Sequence, residues 1–180
     1  VVHREPPGDP SLTDRAQALA AQLIRNFHEA ELTSFTREPL YESRFARLAR
    51  GTAARKLGAS YDIVEPGKTT CPYHLHYAQE EMFIILEGTG TLRVAGERLP
   101  IKAGDMIFIP AGPDYPHHII NTSDAPLKYL SVSTMEQPEI CVYPDSNKFM
   151  AEHGPDKSAR PFEAIRQVGE GDLDYWHDEP

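Results

Sequence analysis

The sequence predicts an all-β fold, an antiparallel sandwich or barrel, preceded by an α-helical N-terminal extension. Three observations predict it. From Tyr61 onward apolar residues recur with a period of two. Turn residues such as Gly88-Thr-Gly90, Ala95-Gly96-Glu97, Ala103-Gly104-Asp105 and Asn121-Thr-Ser-Asp124 punctuate that region at short intervals. Before it, one stretch repeats its apolar residues at steps of three and four.

Taken in order, residues 1–58 form the extension, 59–143 the barrel and 144–180 an irregular tail. Residues 1–10, with three prolines and a glycine, read as an extended lead-in. Ser11-Leu-Thr-Asp14 reads as a capping box with Ser11 as the cap. Leu12, Ala16, Leu19, Leu23 and Phe27 then define an amphipathic helix to about Leu32, and Pro39 stops any continuation. A second, weaker helix is expected over Tyr41–Ala49. Short strands are expected at Met82–Glu87, Thr91–Val94, Met106–Ile109, His118–Asn121 and Tyr129–Ser133. Met82, Phe83, Ile84, Ile85, Leu86, Phe108 and Ile109 read as core. The tail is expected to pack back on the barrel through Phe162, Ile165, Tyr175 and Trp176.

The 180 residues hold 18 basic and 27 acidic side chains, a net charge of −9. That balance argues against nucleic-acid and anionic-membrane partners. The basic residues concentrate at Arg37, Arg44, Arg47, Arg50, Arg55 and Lys56, which read as a solvated face rather than an anion-binding surface. The longest apolar run, Met82–Leu86, is too short to span a bilayer, and no export segment is read at the start of the sequence. Cys71 and Cys141 cannot make a disulfide framework, so both are expected as thiols in the cytoplasm.

The chemistry-bearing stretch is Cys71-Pro-Tyr-His74-Leu-His76-Tyr-Ala-Gln-Glu80-Glu81. On a strand His74 and His76 share a face, about 7 Å apart along the backbone. Two neutral imidazoles in one cavity gain little unless a divalent metal bridges them. A carboxylate follows after a break at Tyr77-Ala-Gln79, and periodicity leaves Glu80 and Glu81 both open. A third imidazole comes from His117 or His118, which point to opposite faces, so one alone looks inward.

At these residues the sequence resembles the cupins. The family's first motif corresponds to Gly67, His74, His76, Glu81 and Gly88, and the step back from Gly88 selects Glu81. Its second motif corresponds to Gly104, Pro110, Gly112, His117 and Asn121. The resemblance covers roughly residues 59–135. Two spacings depart from it: one extra residue lies between Gly67 and His74, and two extra lie between Gly112 and His117. The unaltered spacing would put Tyr115 in the ligand position. The step from His117 to Asn121 favours His117, with Tyr115 as a pocket residue and His118 as an alternative ligand.

The resemblance implies a double-stranded β-helix, or jelly roll, in which His74, His76, Glu81 and His117 bind one divalent transition metal, Fe, Mn, Ni, Zn or Cu. Gln79, Glu80 and Asn121 would stand behind the ligands. It also implies chemistry on a small polar or carboxylated molecule, of the dioxygenase or decarboxylase type. A sugar or sugar-phosphate isomerase or epimerase and a non-catalytic ligand-binding module are the alternatives. Tyr115, Glu80 and Lys148 are the candidate acid/base groups. Tyr73 and Tyr77 adjoin the ligands, and Asp145 lies in a tail segment, with Lys148, that could reach a substrate. Cys71 reads as an apolar filler, with a ligand role as the alternative, and His28, His153 and His177 stay unassigned. A homodimer is the expected assembly.

Overall fold

The computed structural model describes residues 13–154, 162–169 and 171–179. The lead-in and the Ser11 cap lie outside them. The helix α1 spans Asp14–Leu23, capped by Thr13, whose Oγ1 accepts from the Ala16 amide at 3.2 Å. It is shorter than the periodicity predicts. Asn26 Oδ1 accepts the His28 amide at 3.0 Å, closing a turn that competes with further helix, and the Arg25 guanidinium donates to the carbonyls of Ala21 and Ile24. No residue of α1 is buried. Phe27 makes the contact with the sheet, its ring 5.1 Å from that of Tyr61.

Among the described residues the strands are β1 (Thr33–Arg37), β2 (Tyr41–Arg47), β3 (Leu57–Val64), β4 (Leu75–His76), β5 (Glu81–Glu87), β6 (Thr89–Val94) and β7 (Glu97–Lys102). They continue as β8 (Met106–Ile109), β9 (His117–Ile120), β10 (Leu127–Thr134), β11 (Glu139–Tyr143), β12 (Lys148–His153) and β13 (Phe162–Gln167). The helix expected over Tyr41–Ala49 is therefore strand β2. It pairs with β3, Ser43 opposite Val64 and Phe45 opposite Asp62, and with β1 on its other side. Two ladders and the burial of Ser43 and Ala46 override a weak helical pattern.

One layer is the six-stranded sheet β1-β2-β3-β10-β5-β8; the other comprises β7-β6-β9 and β13-β12-β11-β4, and every named pair is antiparallel. A bridge between His74 and His117 joins β9 to the β4 segment. Between the layers lie Val64, Phe83, Ile85, Ile109, Leu127 and Tyr129 from one side and Leu92, Ile101 and Ile119 from the other. Each such side chain contributes about 1.5–3 kcal/mol when fully buried. This is the all-β barrel the alternation predicts.

The alternation also corrects the predicted core. Phe83, Ile85 and Ile109 are buried, Met82, Ile84 and Leu86 only half-buried on the outer face, and Phe108 is 67% exposed. The tail differs as well. It holds a 3-10 turn at Pro144–Ser146 and the hairpin β12–β13, held by backbone pairing to β11. Phe162, Ile165, Tyr175 and Trp176, expected to pack inward, are exposed. No helix among the described residues is long and apolar enough to cross a membrane.

Candidate metal centre

The centre lies where β4, β5 and β9 begin. His74 precedes β4, His76 ends it, Glu81 opens β5 and His117 opens β9. The two segments are tied by main chain: His74 and His117 form an antiparallel bridge, and the Gly112 amide donates to the His76 carbonyl at 2.8 Å. Gly112 has φ of +113°, a conformation that glycine adopts without penalty, so the Pro-x-Gly turn can present its amide there.

The structure brings the four residues of the resemblance together. Glu81 Oε2 lies 2.8 Å from His117 Nε2, 3.5 Å from His76 Nε2 and 3.8 Å from His74 Nε2. Ligand atoms of His74, Glu81 and His117 all fall within 4.8 Å of one another. His117 is fully buried and Phe83 meets its ring edge-on at 5.7 Å. Burial pushes the Glu81 carboxyl up, but the His117 hydrogen bond and the charges of His76, His74 and His117 outweigh it and hold the group below the ordinary carboxylate value.

The opposite ring nitrogens define tautomers. His74 Nδ1 lies 2.9 Å from the Pro72 carbonyl and His117 Nδ1 lies 3.1 Å from the Tyr115 carbonyl. A carbonyl only accepts, so both Nδ1 atoms carry hydrogen; each Nε2 then faces Glu81 either with a second hydrogen, as in the His117 bond to that carboxylate, or with a lone pair where a cation takes the place of that hydrogen. Lone pairs aimed at a buried carboxylate repel it unless a cation lies between them. Three imidazoles and a carboxylate, with their lone pairs converging, fit a divalent first-row ion.

His76 is oriented by Glu139, a residue that sequence reasoning missed. Its Oε2 lies 3.7 Å from His76 Nδ1, an electrostatic contact rather than a hydrogen bond. The same carboxylate accepts the amides of Tyr77 (3.0 Å), Ala78 (3.3 Å) and Gln79 (2.9 Å), shaping the turn between β4 and Glu81. Burial pushes its pKa up, yet His76 and the amides of Ala78 and Tyr77 hold it below the ordinary value. Glu139 is only 2% exposed and arrives from β11, so no local spacing marks it.

The other candidates stand apart from the four. Tyr115 contributes its carbonyl, while its side chain is exposed. Glu80 is exposed, its amide donating to Thr134 Oγ1 at 2.9 Å. Lys148 Nζ lies 5.0 Å from the Tyr143 ring, and that ring lies 6.2 Å from His74. Asp145 is held by Arg93 in a two-pronged ion pair at 2.6 and 2.9 Å, and Arg93 stacks 3.8 Å over Tyr73. His118 faces away from Glu81, against Tyr73. Gln79 donates to the Glu136 carbonyl, and Asn121 ties Val64 to Ala125 and Ser123, so neither supports an imidazole. A second buried carboxyl, Asp62, accepts from Ser60 Oγ at 2.6 Å. Burial pushes it up to about 6 against the lowering effect of Ser60 and Arg47, and the Glu81 charge adds to the rise.

The family model for the cupin domain matches residues 60–133. The chain is similar to an uncharacterised protein of Methanocaldococcus jannaschii, 44% identical over 71 residues that cover 39% of this chain and 54% of that one. It is similar also to the oxalate-binding protein of Thermotoga maritima, 36% identical over 67 residues, 37% of this chain and 54% of that one. The chain thus spans about half the length of these curated relatives. Among solved structures, a sugar phosphate isomerase of Silicibacter pomeroyi superposes with a TM-score of 0.69 at 23% identity, covering 83% of this chain and 96% of that one. That likeness is one of fold.

Proposed function

The chain belongs to the cupin superfamily, and on that premise we propose that it is a metal-dependent enzyme of the dioxygenase or decarboxylase type acting on a small carboxylated molecule. The observation that carries the reading is the convergence of three imidazole Nε2 atoms on Glu81 Oε2, at 2.8, 3.5 and 3.8 Å. His74, His76, Glu81 and His117 would hold one divalent ion of iron, manganese, nickel, zinc or copper. When bound, such an ion supplies Lewis acidity toward substrate oxygens, or dioxygen chemistry if it is iron. The chain's own part is positional. The Pro72 and Tyr115 carbonyls fix two ring orientations, the Glu139 carboxylate attracts the third ring at 3.7 Å, and Phe83 packs against His117. Donors already in place need no reorganisation when charge develops on a substrate.

A carboxylate substrate is supported by the Thermotoga maritima relative, which is named for oxalate binding. The proposed catalytic candidates are Tyr115, Glu80 and Lys148, the last separated from His74 by the Tyr143 ring. A second reading is a cupin that captures a small carboxylate without turning it over. It is favoured by the absence, among the described residues, of a hydrogen bond from any of those three side chains to the four-residue cluster. The fold shared with the isomerase brings no substrate to this chain.

We also propose a homodimer in the cytoplasm. Support for pairing comes from the outer sheet face, where Leu57, Met82, Phe108 and Val132 line a cleft of about 210 Å³. Support for the compartment is that both cysteines are free thiols.

Metal analysis of protein purified without added metal, followed by oxygen-uptake and carbon-dioxide-release assays with oxalate, tests the function. Oxygen-dependent turnover points to oxygenation and oxygen-independent release to decarboxylation. Metal-dependent oxalate binding without turnover selects the second reading. A protein that takes up no divalent metal after chelator treatment overturns both.

A further inference from the structure

We propose that Cys141 gives this centre a second, sulfur-containing coordination set that shares His74 and His76 with the first. The inference rests on the metal-centre reading above and extends it to a residue outside the motifs. Cys141 sits in β11 directly opposite His76 of β4. Directly opposed residues of an antiparallel pair project to the same side, so the thiol shares the face of the His76 ring. One ligand atom each of His74, His76 and Cys141 lies within 4.8 Å of the others, the same limit that bounds the His74, Glu81 and His117 group. A cation held by His74 and His76 therefore has two ways to complete its shell. One uses Glu81 and His117, the other Cys141.

The two sets differ in softness. Nitrogen with carboxylate suits manganese and iron, whereas thiolate draws zinc and copper. Cys141 is only 2% exposed, and a cation that binds its sulfur takes the place of the thiol proton. The exchange is balanced: the S–H bond breaks, a metal–sulfur bond forms and one proton leaves to solvent. Cys71 does not compete. Its Sγ lies 3.8 Å from His74 Nδ1, the nitrogen that already donates to the Pro72 carbonyl, rather than at the nitrogen facing Glu81.

The test is cobalt(II) titration of the chelator-treated full chain, read in the near ultraviolet for sulfur-to-cobalt charge transfer and in the visible for the ligand-field bands. The charge-transfer band is expected in the wild type and in Cys71→Ser. It is expected to be lost in Cys141→Ser while the visible bands and cobalt stoichiometry remain. Cobalt bound by the wild type without a sulfur band, or a band that survives in Cys141→Ser, overturns the inference and leaves the metal centre standing. No cobalt bound at all overturns both. Should Cys141→Ser not fold, the Cys71→Ser spectrum decides alone, because the chain has two cysteines.

Discussion

The peptide groups of His74 and His117 hold each other: the His74 amide donates to the His117 carbonyl at 3.1 Å, and the His117 amide donates to the His74 carbonyl at 2.7 Å. Residues that exchange both bonds carry their side chains to one side of the ladder, which sets the two rings 4.7 Å apart. The separation between ligands from two distant segments is thus fixed by main chain.

Loss of one ligand should therefore empty the centre without unfolding the barrel. His76→Ala is expected to lower metal content sharply and the melting temperature modestly, because the apolar core between the sheets does not include His76. Metal analysis and thermal unfolding check this, and global unfolding of the variant would make the centre a structural one.

Glu139→Gln should act on both affinity and stability. The change keeps the shape but removes the charge that faces His76 and receives three amides. Weakening of charge-assisted bonds costs about 1–3 kcal/mol, and a lost supporting carboxylate typically costs about 10–100-fold in metal affinity. Denaturant unfolding and competitive chelation measure the two separately; unchanged affinity would reduce Glu139 to a turn-former.

These expectations mark how far the sequence could be read. The His74-x-His76 spacing and the alternation through Phe83 and Ile85 are local patterns, and both the ligands' common side and the buried face follow from them. Glu139 follows from neither, since only the pairing of β11 with β4 brings it to His76. Tyr41–Ala49 carries a weak helical pattern, but Tyr41–Arg47 is strand β2 because it pairs with β1 and with β3, whose ladder begins ten residues after β2 ends and leaves no mark in the local period. Helix α1 ends at Leu23 with Ile24 extended, and the turn that follows is held by the Asn26 side chain, a signal that apolar spacing does not contain. Tyr175 and Trp176 show that aromatic content alone does not establish burial.

Asp62 should leave a signature in the pH dependence of stability. Burial raises its pKa from 3.8 to about 6. Below about pH 4 both states are protonated and the group is silent. Between about pH 4 and 6 the unfolded chain ionises first, so stability falls as pH rises; above about 6 the loss is complete. Its ceiling is about 3 kcal/mol. Asp62→Asn, which preserves an acceptor for Ser60, is expected to flatten this descent in urea unfolding measured across the range. An identical descent in the variant would assign it to other groups.

Gly88→Ala should destabilise the barrel. Gly88 has φ of +87°, and an added Cβ would sit 2.7 Å from the Pro126 carbonyl oxygen. The left-handed backbone alone costs about 1–2 kcal/mol for an L side chain, and the contact with rigid backbone adds to it. A fall of the thermal midpoint with metal binding retained is the expected result.

Phe108→Asp tests the proposed pairing. Phe108 is 67% exposed on the outer face, so the change should leave the monomer's fold intact and lower the mass seen in solution scattering from dimer to monomer. A monomeric wild type at micromolar concentration would exclude the dimer.

The pairing of Ser43 with Val64 and Phe45 with Asp62 has a practical consequence for anyone shortening this chain. A fragment trimmed to residues 60–133, the segment that matches the cupin domain, would leave the hydrogen-bonding groups of β3 that face β2 unsatisfied. Such a bare margin recruits further strands from neighbouring molecules, and the trimmed product should precipitate or form oligomers of no defined size.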